Sequence, residues 1–269
     1  MEFMWVCRLF DRGPALCYIE RGRGLKGDIM LQSVNFETVI WVLSMLPLGI
    51  FLGCSMVYVF NHMPVAWLCD YGLPPCAALA RTEERRERGE RGAQRLPGMP
   101  WKPLLSAFFT VAGIYMLTFG GHGGIFVLPL LVIIWLLMII AVADGKYKII
   151  PDQFVVFLIL MSCTLIPFGM RIKDMLLGAL AGALVMLIVA AVGYFISHRE
   201  SLGFGDVKLM AAIGMVTGPY PCLGIMVVAA IISAMGFLTG IVRKKIGLKD
   251  MMALGPYLAG CAIANLILL

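Results

Sequence analysis

Charge is what this chain has least of. Only 14% of its 269 residues are Asp, Glu, Lys or Arg, 61% are hydrophobic, and the mean hydropathy is +0.91. That balance excludes an ordinary soluble domain and places the chain among polytopic membrane proteins. Histidine is equally sparse: His62, His122 and His198 lie too far apart for a metal cluster. The eight cysteines include no C-x-x-C pair. Cys69 and Cys76 share a polar loop but offer two ligands where a zinc site takes four, so no bound metal is expected. Cys54, Cys163, Cys222 and Cys261 stand in or beside apolar runs and read as packing residues.

Apolar stretches fill most of the remaining sequence. Segments near 38–60, 103–119, 124–143, 151–168, 175–197, 222–242 and 251–268 approach the ~20 residues that cross ~30 Å of hydrocarbon as a helix. The run after Asp206, VKLMAAIGMVTGPYP, is about half a span before its Gly-Pro break, which suits a short helix or a re-entrant segment. The expectation is an all-α polytopic bundle of seven or eight transmembrane segments. Its parts are a tail over 1–36, a first helix over 37–60, a charged loop over 61–102 and a membrane core over 103–269. Gly178 and Gly182 form a small-xxx-small pattern, expected to bring two helices close together.

Basic residues orient the bundle. The loop from Asn61 to Lys102 carries Arg81, Arg85, Arg86, Arg88, Arg91, Arg95 and Lys102, and so faces the cytoplasm by the positive-inside rule. Alternation then places GKYK (145–148), the His198–Lys208 turn and VRKKIGLKD (242–250) inside, provided that the run after Asp206 crosses. The run RTEERRERGERGAQR mixes signs and reads as a solvated helix or coil laced with i,i+4 pairs; the alternative is a surface for anionic lipid heads. Nothing like a nucleic-acid-binding fold accompanies it, so no nucleic-acid partner is expected. Arg8, Arg12, Arg21, Arg23 and Lys26 contradict an outside N-terminus. A start at Met30 would remove the conflict, which leaves two alternatives, a start at Met1 or at Met30. The charges are followed by no continuous apolar run of the signal-peptide kind.

Against this background two carboxylates stand out. Asp144 ends an apolar run in IIAVADGKYKIIPD, and Asp206 opens another in SLGFGDVKLMAAIG. A carboxylate at membrane depth costs roughly 2.5 to 3.5 kcal/mol on insertion scales, which makes each a functional candidate. Both fall at cytoplasmic helix ends in the threading above, although that threading used only basic residues and apolar lengths. Two close carboxylates suit water activation by an acid/base pair, the chemistry of an aspartic protease. Gly203 and Gly205 are expected to adopt backbone angles closed to other residues and to let an extended substrate strand approach. The plain alternatives are a capping role for Asp206 and an interfacial stop charge for Asp144.

These residues resemble the type IV prepilin leader peptidases, a branch of the GxGD membrane aspartic proteases. That family has an aspartate with Pro-Asp seven and eight positions on, matched by Asp144, Pro151 and Asp152. Its second motif, GxGDxK, is matched by Gly203, Gly205, Asp206 and Lys208, and its closing Gly-Pro segment by Gly255, Pro256 and Gly260. The resemblance covers about residues 40–269. It implies that Asp144 and Asp206 are the catalytic pair, with Gly203, Gly205, Pro151, Asp152 and Lys208 in support. The implied reaction is removal of a basic leader from pilin-like precursors at the cytoplasmic face of the bacterial cell membrane, without metal or cofactor. Bifunctional members also methylate the new N-terminus, using S-adenosylmethionine, a loop with two CxxC pairs and a first helix resembling GxxxGSFLNVxxYRxP. Here Gly49, Gly53 and Pro64 persist, but Cys54, Val57, Asn61 and His62 replace the serine, asparagine, tyrosine and arginine. Methyl transfer is therefore expected to be absent.

Three other readings fit the sequence less well. A proton-coupled transporter would favour midplane carboxylates and internal repeats, and no repeat is visible. An inactive scaffold would have lost one aspartate. A presenilin-type protease would not need the Pro-Asp or the GxGDxK lysine.

Overall fold

The computed structural model describes residues 36–69, 77–88, 94–119, 123–197, 203–243 and 253–268. The basic tail, the choice of start, Cys76, His122, His198 and the segment 244–252 lie outside these residues. Among the described residues there are nine α-helices and no strand: α1 (Phe36–His62), α2 (Ala77–Glu87), α3 (Gly98–Thr118), α4 (Gly124–Tyr147), α5 (Asp152–Ser162), α6 (Ile172–Ser197), α7 (Phe204–Thr217), α8 (Pro219–Val242) and α9 (Gly255–Leu268). In lipid every backbone polar group needs an internal partner, and a helix supplies one within a single apolar segment.

Helices stand at every segment marked in the sequence. Length and apolarity, however, qualify four as membrane spans: Val39–His62, Gly124–Tyr147, Ile172–Phe195 and Pro219–Val242. The helices over 152–168 and 255–268 are apolar but shorter. The run after Asp206 is the short helix α7, whose 14 residues extend about 21 Å at 1.5 Å per residue. It stops at Gly218, whose φ of 80° is open to glycine, and Pro219 opens α8 directly.

Close helix crossings come from small residues. α1 lies along α3, where a Cβ on Gly49 would come within 2.7 Å of the Thr110 backbone nitrogen. α6 and α7 cross through glycines on both sides: a Cβ on Gly178 would fall onto the Gly214 carbonyl, and one on Gly182 would lie 2.6 Å from the Met210 oxygen. The small-xxx-small pattern is thus a packing device, as its spacing indicated.

At the centre, α4 packs against α1, α5 and α9, and its Ile133, Ile134, Ile139 and Ile140 are fully buried. Trp135 donates its indole N–H to the Leu52 carbonyl at 3.1 Å, which ties α4 to α1. Cys222 is buried between helices, whereas Cys54 and Cys163 are exposed and do not pack as expected. The segment after α1 also departs from a solvated loop. Ala77–Glu87 is helical and carries the Glu84–Arg88 i,i+4 pair, but Arg95 is 2% exposed.

Candidate active site

The site forms where α4 ends and α7 begins. Lys148 adopts the left-handed conformation (φ 57°) and donates its N–H to the Asp144 carbonyl at 2.8 Å, closing the last turn of α4. Pro151 (φ −68°, ψ 117°) caps α5 without a side-chain bond, and its carbonyl receives the Phe154 N–H at 3.1 Å. Ile149 and Ile150 therefore make a short link, because a residue before proline is held extended. α7 is entered through Gly203, whose carbonyl accepts the Asp206 N–H at 3.1 Å. Asp206 thus sits in the first turn of α7, where the helix dipole favours a negative side chain.

Asp144 is buried and Asp206 is half-buried. Asp144 is 5% exposed, which rules out an interfacial stop charge. Asp206 does not cap its helix: Gly203 holds the cap position and no side-chain cap bond is made. Asp144 Oδ2 and Asp206 Oδ1 are buried and have no hydrogen-bond partner among the described residues. An unpaired buried acceptor costs about 1–3 kcal/mol, so a fold retains one where it has a use. The two groups lie within electrostatic reach of each other. Burial, and after it the Asp144 charge, push the Asp206 carboxyl up to about 7.

Gly255, at the start of α9, closes the pocket around Asp144. A Cβ there would stand 2.9 Å from Asp144 Cγ. The sequence pointed to the Gly-Pro pair only as part of a motif and gave it no role. Its physical meaning is an approach too close for any side chain.

Asp152 and Lys208 meet across α5 and α7. The Lys208 ammonium donates to both Asp152 oxygens, at 3.0 and 2.9 Å, and also stands 5.3 Å from the centre of the Phe204 ring. The pair is more than one-third exposed on both sides, so its coupling energy is expected to be small, about 0.5–1 kcal/mol. A double-mutant cycle of Asp152→Ala and Lys208→Ala on thermal unfolding should return that coupling. Additive effects would show that the contact carries no energy.

The expected role of the glycines needs correction. Gly203 has φ −72°, and neither it nor Gly205 has a positive φ, so neither position requires glycine for its backbone angles. Gly205 matters through packing: a Cβ there would lie 3.3 Å from the Ile150 side chain, tighter than an ordinary contact. The bare residue lets α7 settle against the link that follows Asp144. A Cβ on Gly203 would meet only Asp206 Oδ2, at 3.7 Å.

Residues 131–241, which include both aspartates, match the sequence model of the type IV leader peptidase family. The chain is 31% identical over 126 residues to the leader peptidase HopD of Escherichia coli, covering 43% of this chain and 77% of that one. The chain belongs to the type IV leader peptidase family. It is also 31% identical over 137 residues to the prepilin leader peptidase/N-methyltransferase of Klebsiella pneumoniae, covering 46% of this chain and 56% of that one. A relative of the same name from Dickeya chrysanthemi is 22% identical over 282 residues, covering 89% and 96%. The chain spans about half the length of the first two curated relatives that it matches. No solved structure matches it. Within the leader peptidase match, the end of α4 and the opening of α7 each place a carboxylate oxygen out of contact with solvent, on Asp144 and on Asp206.

Proposed function

We propose that this chain is an intramembrane aspartic endopeptidase that removes the leader from type IV pilin-like precursors. The observation that carries the reading is the pair itself: Asp144 and Asp206, in mutual electrostatic reach, each with a buried oxygen that no group among the described residues satisfies. Two such carboxylates share a proton. The ionised one takes a proton from water as the water oxygen attacks the scissile carbonyl. The protonated one donates its hydrogen to the carbonyl oxygen, which gives a neutral gem-diol. The carboxyl that took the proton from water then gives it to the leaving nitrogen, while the other, now ionised, takes a hydroxyl proton from the gem-diol. The C–N bond breaks, the C=O of the new carboxylic acid forms, and the pair is again singly protonated. No covalent enzyme intermediate is formed, and the reaction calls for no cofactor.

In this reading Asp152, Lys208, Pro151 and the two motif glycines hold α5 and α7 so that the carboxylates face one another. The active side is cytoplasmic. Lys146, in the last turn of α4, donates to the Arg95 carbonyl in the basic segment that the positive-inside rule places there. A leader with basic residues would stay in water at this face while its apolar helix lies in lipid. The setting is the bacterial cell membrane.

Methyl transfer is not part of the proposal. Of the first-helix positions that depart from the bifunctional pattern, Cys54 is exposed and Val57 is buried in the core. The Asn61 amide is engaged with Leu96, and the His62 ring lies over Tyr58 with Nδ1 at 2.9 Å from its carbonyl. None of them offers an unengaged buried polar group to hold S-adenosylmethionine.

The test is cleavage, by membranes carrying the full chain, of a pilin-like precursor from the same genome, with the product's N-terminus read by mass spectrometry. The expected product lacks its leader and has no added methyl mass. An intact precursor would sink the peptidase assignment, and a methylated product would overturn the exclusion of methyl transfer.

A further inference from the structure

The largest fully buried side chain among the described residues belongs to an arginine that the peptidase chemistry does not use. Arg95 follows the charged helix α2, in a stretch whose composition reads as solvated, yet only 2% of it is exposed. Its Nε donates to Glu83 Oε1 at 2.7 Å, and its Nη1 donates to the Met63 carbonyl beyond the end of α1. Its own carbonyl accepts the Lys146 ammonium from the last turn of α4. The next residue is gripped as firmly. Asn61 donates to the Leu96 carbonyl and accepts the Leu96 N–H, both at 2.8 Å, while Arg86 donates to the Asn61 carbonyl at 3.1 Å. Leu68, Leu79 and Leu96 bury their side chains under the same segment.

Burying a guanidinium is costly, and well-packed apolar residues often match or exceed the stability of a buried ion pair. The more informative feature is what this one touches. It joins α1, α2 and α4 at one point, and its link to α4 arrives two residues from Asp144. We propose that Arg95 is a positioning residue for the Asp144–Asp206 site. It locks α2 and residues 94–97 onto the end of α4 and, through its carbonyl and Lys146, fixes the turn that aims the Asp144 carboxylate. The inference rests on the aspartic reading of the site. It adds that the charged segment is part of the catalytic frame and not merely a connector.

The clasp works by geometry alone, so its loss should act on turnover more than on binding. A misplacement of about 1 Å at a reacting group can cost ~100-fold, so a drop in kcat of at least about tenfold is expected for Arg95→Gln, with KM little changed. Lys146→Met, which severs only the final link, should give a similar drop. The double variant should be no slower than the slower single one, because the Arg95 side chain reaches α4 only through the backbone carbonyl that Lys146 grips, so the two contacts act in series. Arg95→Lys should recover little, because one ammonium cannot serve both Glu83 and the Met63 carbonyl in the fork geometry of a guanidinium.

The deciding measurements are kcat and KM for these variants, wild type and Asp144→Asn, with amide hydrogen exchange on the same full-length proteins. The Lys148 N–H, bonded to the Asp144 carbonyl, reports the turn directly and should exchange faster in Arg95→Gln and in Lys146→Met. Unchanged exchange at Lys148, or full kcat in either variant, would overturn the positioning role, as would additive losses in the double variant. Failure of the aspartic reading looks different: Asp144→Asn would cleave as well as wild type, whatever the Arg95 variants did.

Discussion

Asp144→Asn and Asp206→Asn are each expected to reduce cleavage of a pilin-like precursor by about a thousandfold or more while the protein remains folded in the membrane. General acid–base assistance contributes typically ~10² to 10⁴ in rate, and a single proton-sharing pair performs both halves of it here. The amide keeps the size of the carboxylate but can neither take a proton from water nor donate one to the carbonyl oxygen. Because the pair acts as one unit, the double variant should be no worse than either single one. Folding should survive, because neither change leaves a new charge buried; it removes one from a region where charge is costly. Retention of activity in either variant would sink the proposed mechanism.

The same pair sets the pH dependence. With Asp206 held up to about 7 by burial and by the nearby Asp144 charge, the pair carries one proton below that pH. Raising the pH through about 7 removes the proton that the carbonyl oxygen needs, so kcat/KM is expected to fall on the alkaline side. On the acid side it falls when both groups are protonated and none can accept from water. These limbs belong to the pair and not to either residue.

Much of this arrangement was legible in the sequence because its signals are local. Apolar runs mark helices wherever a span must satisfy its own backbone. Asp144 and Asp206 stand out because a carboxylate in such runs is costly. What the sequence hid is contact across distance. Arg95 lies among mixed charges that read as a solvated face, and nothing nearby in the chain indicates that Glu83, Met63 and Lys146 enclose it. The glycines of the second motif read as positions of special backbone angle that admit a substrate strand, whereas Gly205 serves to let α7 lie close against Ile150. Helix lengths were less legible for a related reason: apolarity persists through helices as short as α5, α7 and α9, and composition does not report where a helix stops.

Gly255 is the sharpest instance of a residue whose role only the fold reveals, and Gly255→Ala is expected to lower cleavage by about a hundredfold. A Cβ at this position would stand 2.9 Å from Asp144 Cγ and 3.2 Å from its Cβ, closer than the packed core can absorb without movement. Either the Asp144 side chain rotates away from Asp206 or the start of α9 withdraws from α4. The first loses the shared proton, and the second loosens the packing that holds the carboxylate in place. Overpacking of this kind costs about 1–3 kcal/mol of stability, too little by itself to account for a hundredfold loss in a protein that still folds. Gly260→Ala on the same helix supplies the comparison, because its added Cβ meets nothing within 4 Å. It should leave cleavage at the wild-type level and thereby separate helix propensity from contact with Asp144. Full activity in Gly255→Ala would mean that Asp144 does not need the position it occupies beside α9.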